Sequence, residues 1–269
     1  MPGHRPSLRR AVSAAACVIR VACAVLLGAC TTPVYEGFTD PSFTYPLVRS
    51  GGLLVGGVAS SIDPLPARIA DREAELLAAA IRSERPGLPV QTATLADPRF
   101  AAAGQAARLQ ALARGPLPPE TYAALAPLRK AGRFVVYARL ENDAVRQEHD
   151  IREHDLPDPM REARDRKGKR ILVPLYDRAE LVESFTTRRV VDVRYTVLDL
   201  DARREVWSGR IEKSAEASNR VTLAEGESGS FGYVAPAVPP PGAFPPPPVA
   251  GRLIEAAHRG FAENLPEAP

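Results

Sequence analysis

Two stretches of strict alternation constrain this chain more than any other feature. Residues 133–147, RFVVYARLENDAVRQ, place Phe134, Val136, Ala138 and Leu140 on one side of an extended backbone and Val135, Tyr137, Arg139 and Glu141 on the other. Residues 181–200 repeat the pattern, with Val191, Val193, Tyr195 and Val197 opposed to Asp192, Arg194 and Thr196. Residues 206–211 then return, carrying Trp207, the only tryptophan. Three successive long strands predict a meander, so the core must be built on a sheet.

Upstream, the pattern changes to strands interleaved with helices. Residues 51–60, GGLLVGGVAS, read as a short buried strand. Their glycines lack both the spacing and the lysine-hydroxyl pair of a nucleotide-phosphate loop. After Pro64 and Pro66, residues 67–85 predict a helix whose apolar stripe is Ile69, Leu76, Leu77, Ala80 and Ile81. Residues 88–94 alternate as a second strand, and Asp97-Pro98 starts a helix that Gly115 stops. A further helix begins near Pro119, aligns Tyr122, Leu125 and Leu128, and is shortened by Pro127 before Gly132. The order βαβαβββ predicts an α/β (α+β) domain over residues 51–217. Its sheet is mixed, parallel where helices cross over and antiparallel in the late hairpins, with two or three helices packed on it.

The run RFVVYARLEND, followed by VVDVRYTVLDLDARREVWSGRIE, resembles the periplasmic lipoproteins related to the curli-secretion lipoprotein and to the outer-membrane activators of penicillin-binding proteins. Asp199, Trp207, Ser208 and Gly209 stand where that family has its turn and following strand. The family's threonine-glycine turn is replaced here by Ala202-Arg203. The resemblance covers residues 53–217 and implies an envelope location. On the residues themselves, Trp207 reads as a core plug and Asp199 as a cap on its turn.

The N-terminus resembles a bacterial lipoprotein signal. Residues 4–20 supply a basic start, residues 21–29 a short apolar run, and Leu27, Gly28, Ala29 and Cys30 a cleavage box. An uncleaved helix over residues 11–29 is the alternative; Arg20 at its centre would cost about 2.5–3.5 kcal/mol. The resemblance implies residues 1–29 as signal peptide and acyl chains on Cys30. Thr31, not aspartate, follows the cysteine, which in enteric-type bacteria implies the outer membrane. The net charge of +3 fits this division, because Arg5, Arg9, Arg10 and Arg20 precede Cys30 with no acidic residue among them. Without them the chain is slightly acidic, which argues against nucleic acid as a partner. Cys17, Cys23 and Cys30 are the only cysteines, so cleavage leaves no pair for a disulfide.

Three further segments carry expectations. Residues 30–50 read as a tether whose aromatics, Tyr35, Phe38, Phe43 and Tyr45, staple it to the domain. Residues 148–170 form a charged excursion between paired strands, a solvated hairpin tip. Within it His149 and His154 lie among Glu148, Asp150, Glu153 and Asp155, but five positions separate them, which opposes them on a strand and fits no zinc spacing. Arg164, Arg166, Lys167, Lys169 and Arg170 are the candidate partner-binding residues, suited to an anionic surface. The chain has 27 prolines, near double the usual share of about 5%. They concentrate in residues 218–250, read as a loop passing into a stiff polyproline spacer. Residues 251–265 predict a final helix with Leu253, Ile254, Ala257, Phe261 and Leu265 on one side.

No residue set assembles a catalytic site in the sequence. A mature thiol nucleophile is missing, and His149, His154 and His258 adjoin no nucleophile turn. The expectation is a non-catalytic lipoprotein at the periplasmic face of the outer membrane, held by its lipid anchor. It is an accessory or assembly module binding an envelope protein, with no metal and no small-molecule cofactor. An oligomeric secretion-channel component is the alternative, and an envelope hydrolase a third.

Overall fold

A computed structural model describes residues 32–93, 117–157, 160–174, 178–232 and 238–268. The fold is a mixed α+β architecture on one six-stranded sheet. In chain order the elements are β1 (Tyr35–Thr39), α1 (Tyr45–Gly51), β2 (Leu53–Ser60), α2 (Ala67–Glu84) and β3 (Val90–Thr92). There follow α3 (Pro119–Leu125), a 3-10 helix (Ala126–Lys130), β4 (Phe134–Leu156), β5 (Met160–Arg164), β6 (Arg170–Pro174), β7 (Arg178–Asp199), β8 (Arg204–Glu227) and α4 (Ala250–Glu263). The sheet order is β1-β8-β7-β4-β2-β3, and β5-β6 form a separate hairpin. As the crossovers require, β2 runs parallel to β3 and β4, while β4-β7-β8 is an antiparallel meander.

Alternation along the central strands sorts the core into two layers. Phe134, Val136, Ala138, Val193, Tyr195, Val197 and Trp207 meet α2 and α4 on one face. Leu54, Val135, Tyr137 and Leu198 meet Tyr122, Leu125 and Leu128 on the other. Pro127 has no N–H to continue the α-helix, and the chain tightens into a 3-10 helix there. In α2 the buried stripe is Ala70, Ala74, Leu77, Ala78 and Ile81. It is rotated from the predicted one, and Ile69 is exposed. Small alanines face the sheet because α2 must pack closely against both β2 and α4. The glycines of β2 serve packing: a Cβ on Gly56 would lie 2.5 Å from the Tyr137 ring, at a bulge in the β2–β4 register.

The turn between β7 and β8 behaves as its aspartate predicts. The Asp199 carboxylate accepts N–H bonds from Asp201 and Ala202, at 2.9 and 3.1 Å, and a bidentate pair from Arg133. Arg203 takes the positive φ of 51° that the absent glycine would have supplied. Trp207 is buried.

Four expectations are corrected. The segment 30–50 is, from Thr32 onward, part of the domain: β1 extends the sheet by pairing antiparallel with β8, and α1 buries Val48. Elements of five and seven residues are too short to show a period. Phe43 does staple, edge-on to Phe134 at 5.4 Å, whereas Tyr35 and Phe38 stay exposed. The second strand shrinks from residues 88–94 to three residues. The charged hairpin excursion begins later than Glu148, because β4 continues to Leu156 paired with β7, and its hairpin is β5-β6. Likewise β8 continues past Ala217 to Glu227, so the expected loop at residue 218 starts later. The helix predicted over residues 97–115 lies outside the described residues.

Candidate interaction surface

Beyond Leu140 on β4 and Arg210 on β8, the neighbouring strands β2 and β1 end. β4, β7 and β8 run on as a three-stranded arm, with Asn142–Leu156 against Arg178–Asp192 against Glu212–Glu227. Fifteen residues at about 3.3 Å each give an arm of roughly 50 Å. Its two outer strands offer backbone N–H and C=O groups that, among the described residues, no further strand takes up. Exposed Val145 on β4 and Val221 and Leu223 on β8 border those edges. A long unpaired edge is a template for another chain unless charge blocks it.

Ion pairs stiffen the root of the arm. Arg194 donates to Glu141 at 3.0 Å and also pairs with Glu36 of β1, and Glu141 in turn holds Arg139. On the opposite face Arg189 forms a fork with Asp143 at 2.6 and 2.7 Å, and this hydrogen bonding raises the guanidinium pKa. The Arg194 hydrogen bond holds the Glu36 carboxyl below its ordinary value, as the Arg129 hydrogen bond does for Asp201. Both contribute stability above the unfolded carboxyl range of about pH 4 and lose it as pH falls through their lowered values. The thermal midpoint should therefore fall on acidification from about pH 5 to about pH 3. A Glu36→Gln/Asp201→Asn variant should show a shallower fall; an unchanged slope would assign the acid sensitivity elsewhere.

One face of the arm is occupied by the proline-rich segment. The stiff spacer expected within residues 218–250 is instead packed on the domain, residues 238–249 lying against β7 and β8. Thr187 donates to the Pro245 carbonyl at 2.8 Å, Arg189 to that of Pro248 at 3.1 Å, and Asn219 to that of Ala243 at 3.0 Å. Phe244 packs edge-on to Phe185 at 5.6 Å. Proline lacks a donor but keeps its carbonyl, so in these three hydrogen bonds the segment is the acceptor. It then delivers α4 onto the sheet, where Leu253, Ala257, Phe261 and Leu265 join the core.

The strand parity separates the two histidines. His149 stacks on Phe185 at 4.5 Å and bonds Glu183 at 2.8 Å, under the proline segment's face, while His154 is exposed on the other. The five basic residues converge on one turn. Arg164 ends β5, Arg170 opens β6 directly opposite it, and Arg166, Lys167 and Lys169 occupy the connection, all exposed. Leu27, Gly28, Ala29 and Cys30 lie outside the described residues.

Sequence reasoning missed a buried polar cluster. His258 of α4 is fully buried, its Nδ1 2.7 Å from the Tyr195 hydroxyl and its Nε2 3.7 Å from Glu73 of α2. Burial, and then the Glu73 charge, push the Tyr195 hydroxyl well above its ordinary pKa. The three side chains link the two helices to the central strand. Their only sequence signal was the i, i+3 placement of His258 against Phe261 on the apolar side of α4.

No family model matches the chain, and no curated protein does. Two solved structures from Paraburkholderia phytofirmans are similar, a PelC dodecamer and a leucine-to-methionine variant of it. The variant shares 14% identity at a TM-score of 0.33, covering 68% of this chain and 82% of the other. The second shares 12% at 0.33, covering 68% and 81%. Overlap at that level assigns this chain neither a role nor an assembly.

Proposed function

We propose that this protein is a non-catalytic, lipid-anchored accessory lipoprotein of the bacterial envelope, facing the periplasm at the outer membrane. It binds an envelope protein through its arm. The observation that carries this reading is the pair of long open strand edges on a stiffened arm, projecting beyond a core whose own helices are already docked. Backbone edges recognise an extended partner segment by adding a strand, and bordering side chains select it. The same edges would admit a second copy, which is the oligomeric secretion-component reading. Crossing a bilayer is disfavoured by the residues of β4 between Arg146 and Asp155, which are almost all polar or charged.

A photo-crosslinking residue placed at Val145 or Val221 tests this in intact envelopes, with exposed Arg72 of α2 as the reference position. Adducts to another protein at the two edge positions, and none at Arg72, are expected. Adducts of this chain to itself, with a ring-sized mass by light scattering, would favour the oligomeric component. Equal labelling at all three positions would remove the arm as the binding surface.

A further inference from the structure

The β5-β6 hairpin carries chemistry that a protein-binding arm does not need. Register pairs Met160 with Pro174, Glu162 with Leu172 and Arg164 with Arg170, so Met160, Glu162, Arg164, Arg170 and Leu172 share one face. On that face Met160 is 53% exposed and Leu172 62%. Arg161, Arg164, Arg166, Lys167, Lys169 and Arg170 are answered locally by only Glu162 and Asp165. Asp165 is spent within the turn, accepting the backbone N–H groups of Lys167 and Lys169 at 2.8 and 2.9 Å. Glu162 reaches Arg170 at 3.5 Å, an exposed pair of little strength.

Arg164 directly opposite Arg170 is a like-charge cross-strand pair, which destabilises a hairpin in water. An anion lying across the two guanidinium groups would reverse that sign. Anionic polymer alone would explain the cations but not exposed methionine and leucine beside them. A phospholipid surface explains both, since arginine and lysine reach the phosphates while apolar side chains enter the acyl boundary. The hairpin is too short to span: five residues at about 3.3 Å reach roughly 17 Å against a core of about 30 Å.

We propose that the β5-β6 hairpin is a membrane-surface docking element that binds anionic phospholipid headgroups through its basic turn and seats Met160 and Leu172 at the bilayer interface. This deepens the arm's binding role by naming lipid as the partner of its hairpin, and it rests on the envelope placement proposed above. It does not depend on Cys30, so the test uses the full chain carrying Cys30→Ser, in which acylation is removed and residues 1–29 are common to every variant.

Co-sedimentation is measured with phosphatidylglycerol-containing vesicles and with pure phosphatidylcholine vesicles. Each cation near an anionic surface contributes about fivefold in binding. Replacing Arg164, Arg166, Lys167, Lys169 and Arg170 by serine should cut partition into anionic vesicles by at least about tenfold. Met160→Ser with Leu172→Ser should cut it severalfold, and thermal midpoints should be unchanged in both. Equal sedimentation of the five-serine variant overturns the proposal. So does loss with the five serines but none with the two apolar replacements, coupled to retention of the parent chain on immobilised alginate, which would make the ligand an anionic polymer. Failure here leaves the Cys30 anchor and the arm's protein-binding edges standing, since neither is read by this assay.

Discussion

Replacing Phe261 by alanine is expected to destabilise the protein by about 3–5 kcal/mol. At this size the thermal midpoint should drop by roughly 6–20 °C. Phe261 is fully buried, stacks on Tyr195 at 4.5 Å and 9°, and meets Trp207 edge-on at 5.0 Å. It is the residue through which α4 reaches the central strands, with Leu253, Ala257 and Leu265 around it. The end of α4 is tied down as well: Arg85 donates to the Leu265 carbonyl at 3.1 Å and pairs with Glu267. Truncation therefore leaves a cavity that the helix cannot close by sliding. Phe261→Leu, which keeps most of the volume, should cost less than half as much. A loss under about 1 kcal/mol for Phe261→Ala would show that α4 is a loosely held appendage, since single truncations in packed cores cost more.

That helix illustrates which features were legible in the sequence. Leu253, Ala257, Phe261 and Leu265 recur at helical spacing because one face of α4 is buried and the other wet, and the structure buries all four. The meander was legible for the same reason, since Val135 and Val136 pack in opposite layers. The far end of the arm was not. From Glu148 to Leu156 the residues of β4 are mostly charged, so its strand character there rests on backbone pairing to β7 and leaves no alternation to read. Docking of residues 238–249 was hidden likewise, because three of its contacts are backbone carbonyls that any sequence would offer. The basic turn was visible as composition, yet its like-charge register and the exposed Met160 and Leu172 needed the hairpin's pairing. His258 was visible only as a histidine without a nucleophile; its burial between Tyr195 and Glu73 arises from helices distant in sequence.

The second large effect is expected at Cys30. Replacing it by serine should make the protein extractable from the membrane by high salt and abolish the mass of the attached acyl chains. Each buried CH₂ contributes about 0.8 kcal/mol, and a single chain binds only marginally, so retention needs the several chains that only an acylated cysteine provides. The fold tightens the consequence. Thr32 is no free spacer: its hydroxyl donates to Glu263 at 2.7 Å, its carbonyl accepts from Asn264 at 3.0 Å, and Lys213 reaches it at 3.2 Å. Two residues of extended chain span about 7 Å. An acylated Cys30 would therefore hold the domain flush on the bilayer by the end of α4 rather than on a twenty-residue leash. Inserting a flexible segment between Cys30 and Thr32 should then preserve fractionation but weaken any partner contact that needs this fixed height. A Cys30→Ser protein that resists extraction from membranes at high salt, without a change in mass, would show that residues 1–29 remain attached as an anchor helix, and the lipoprotein reading would fall with it.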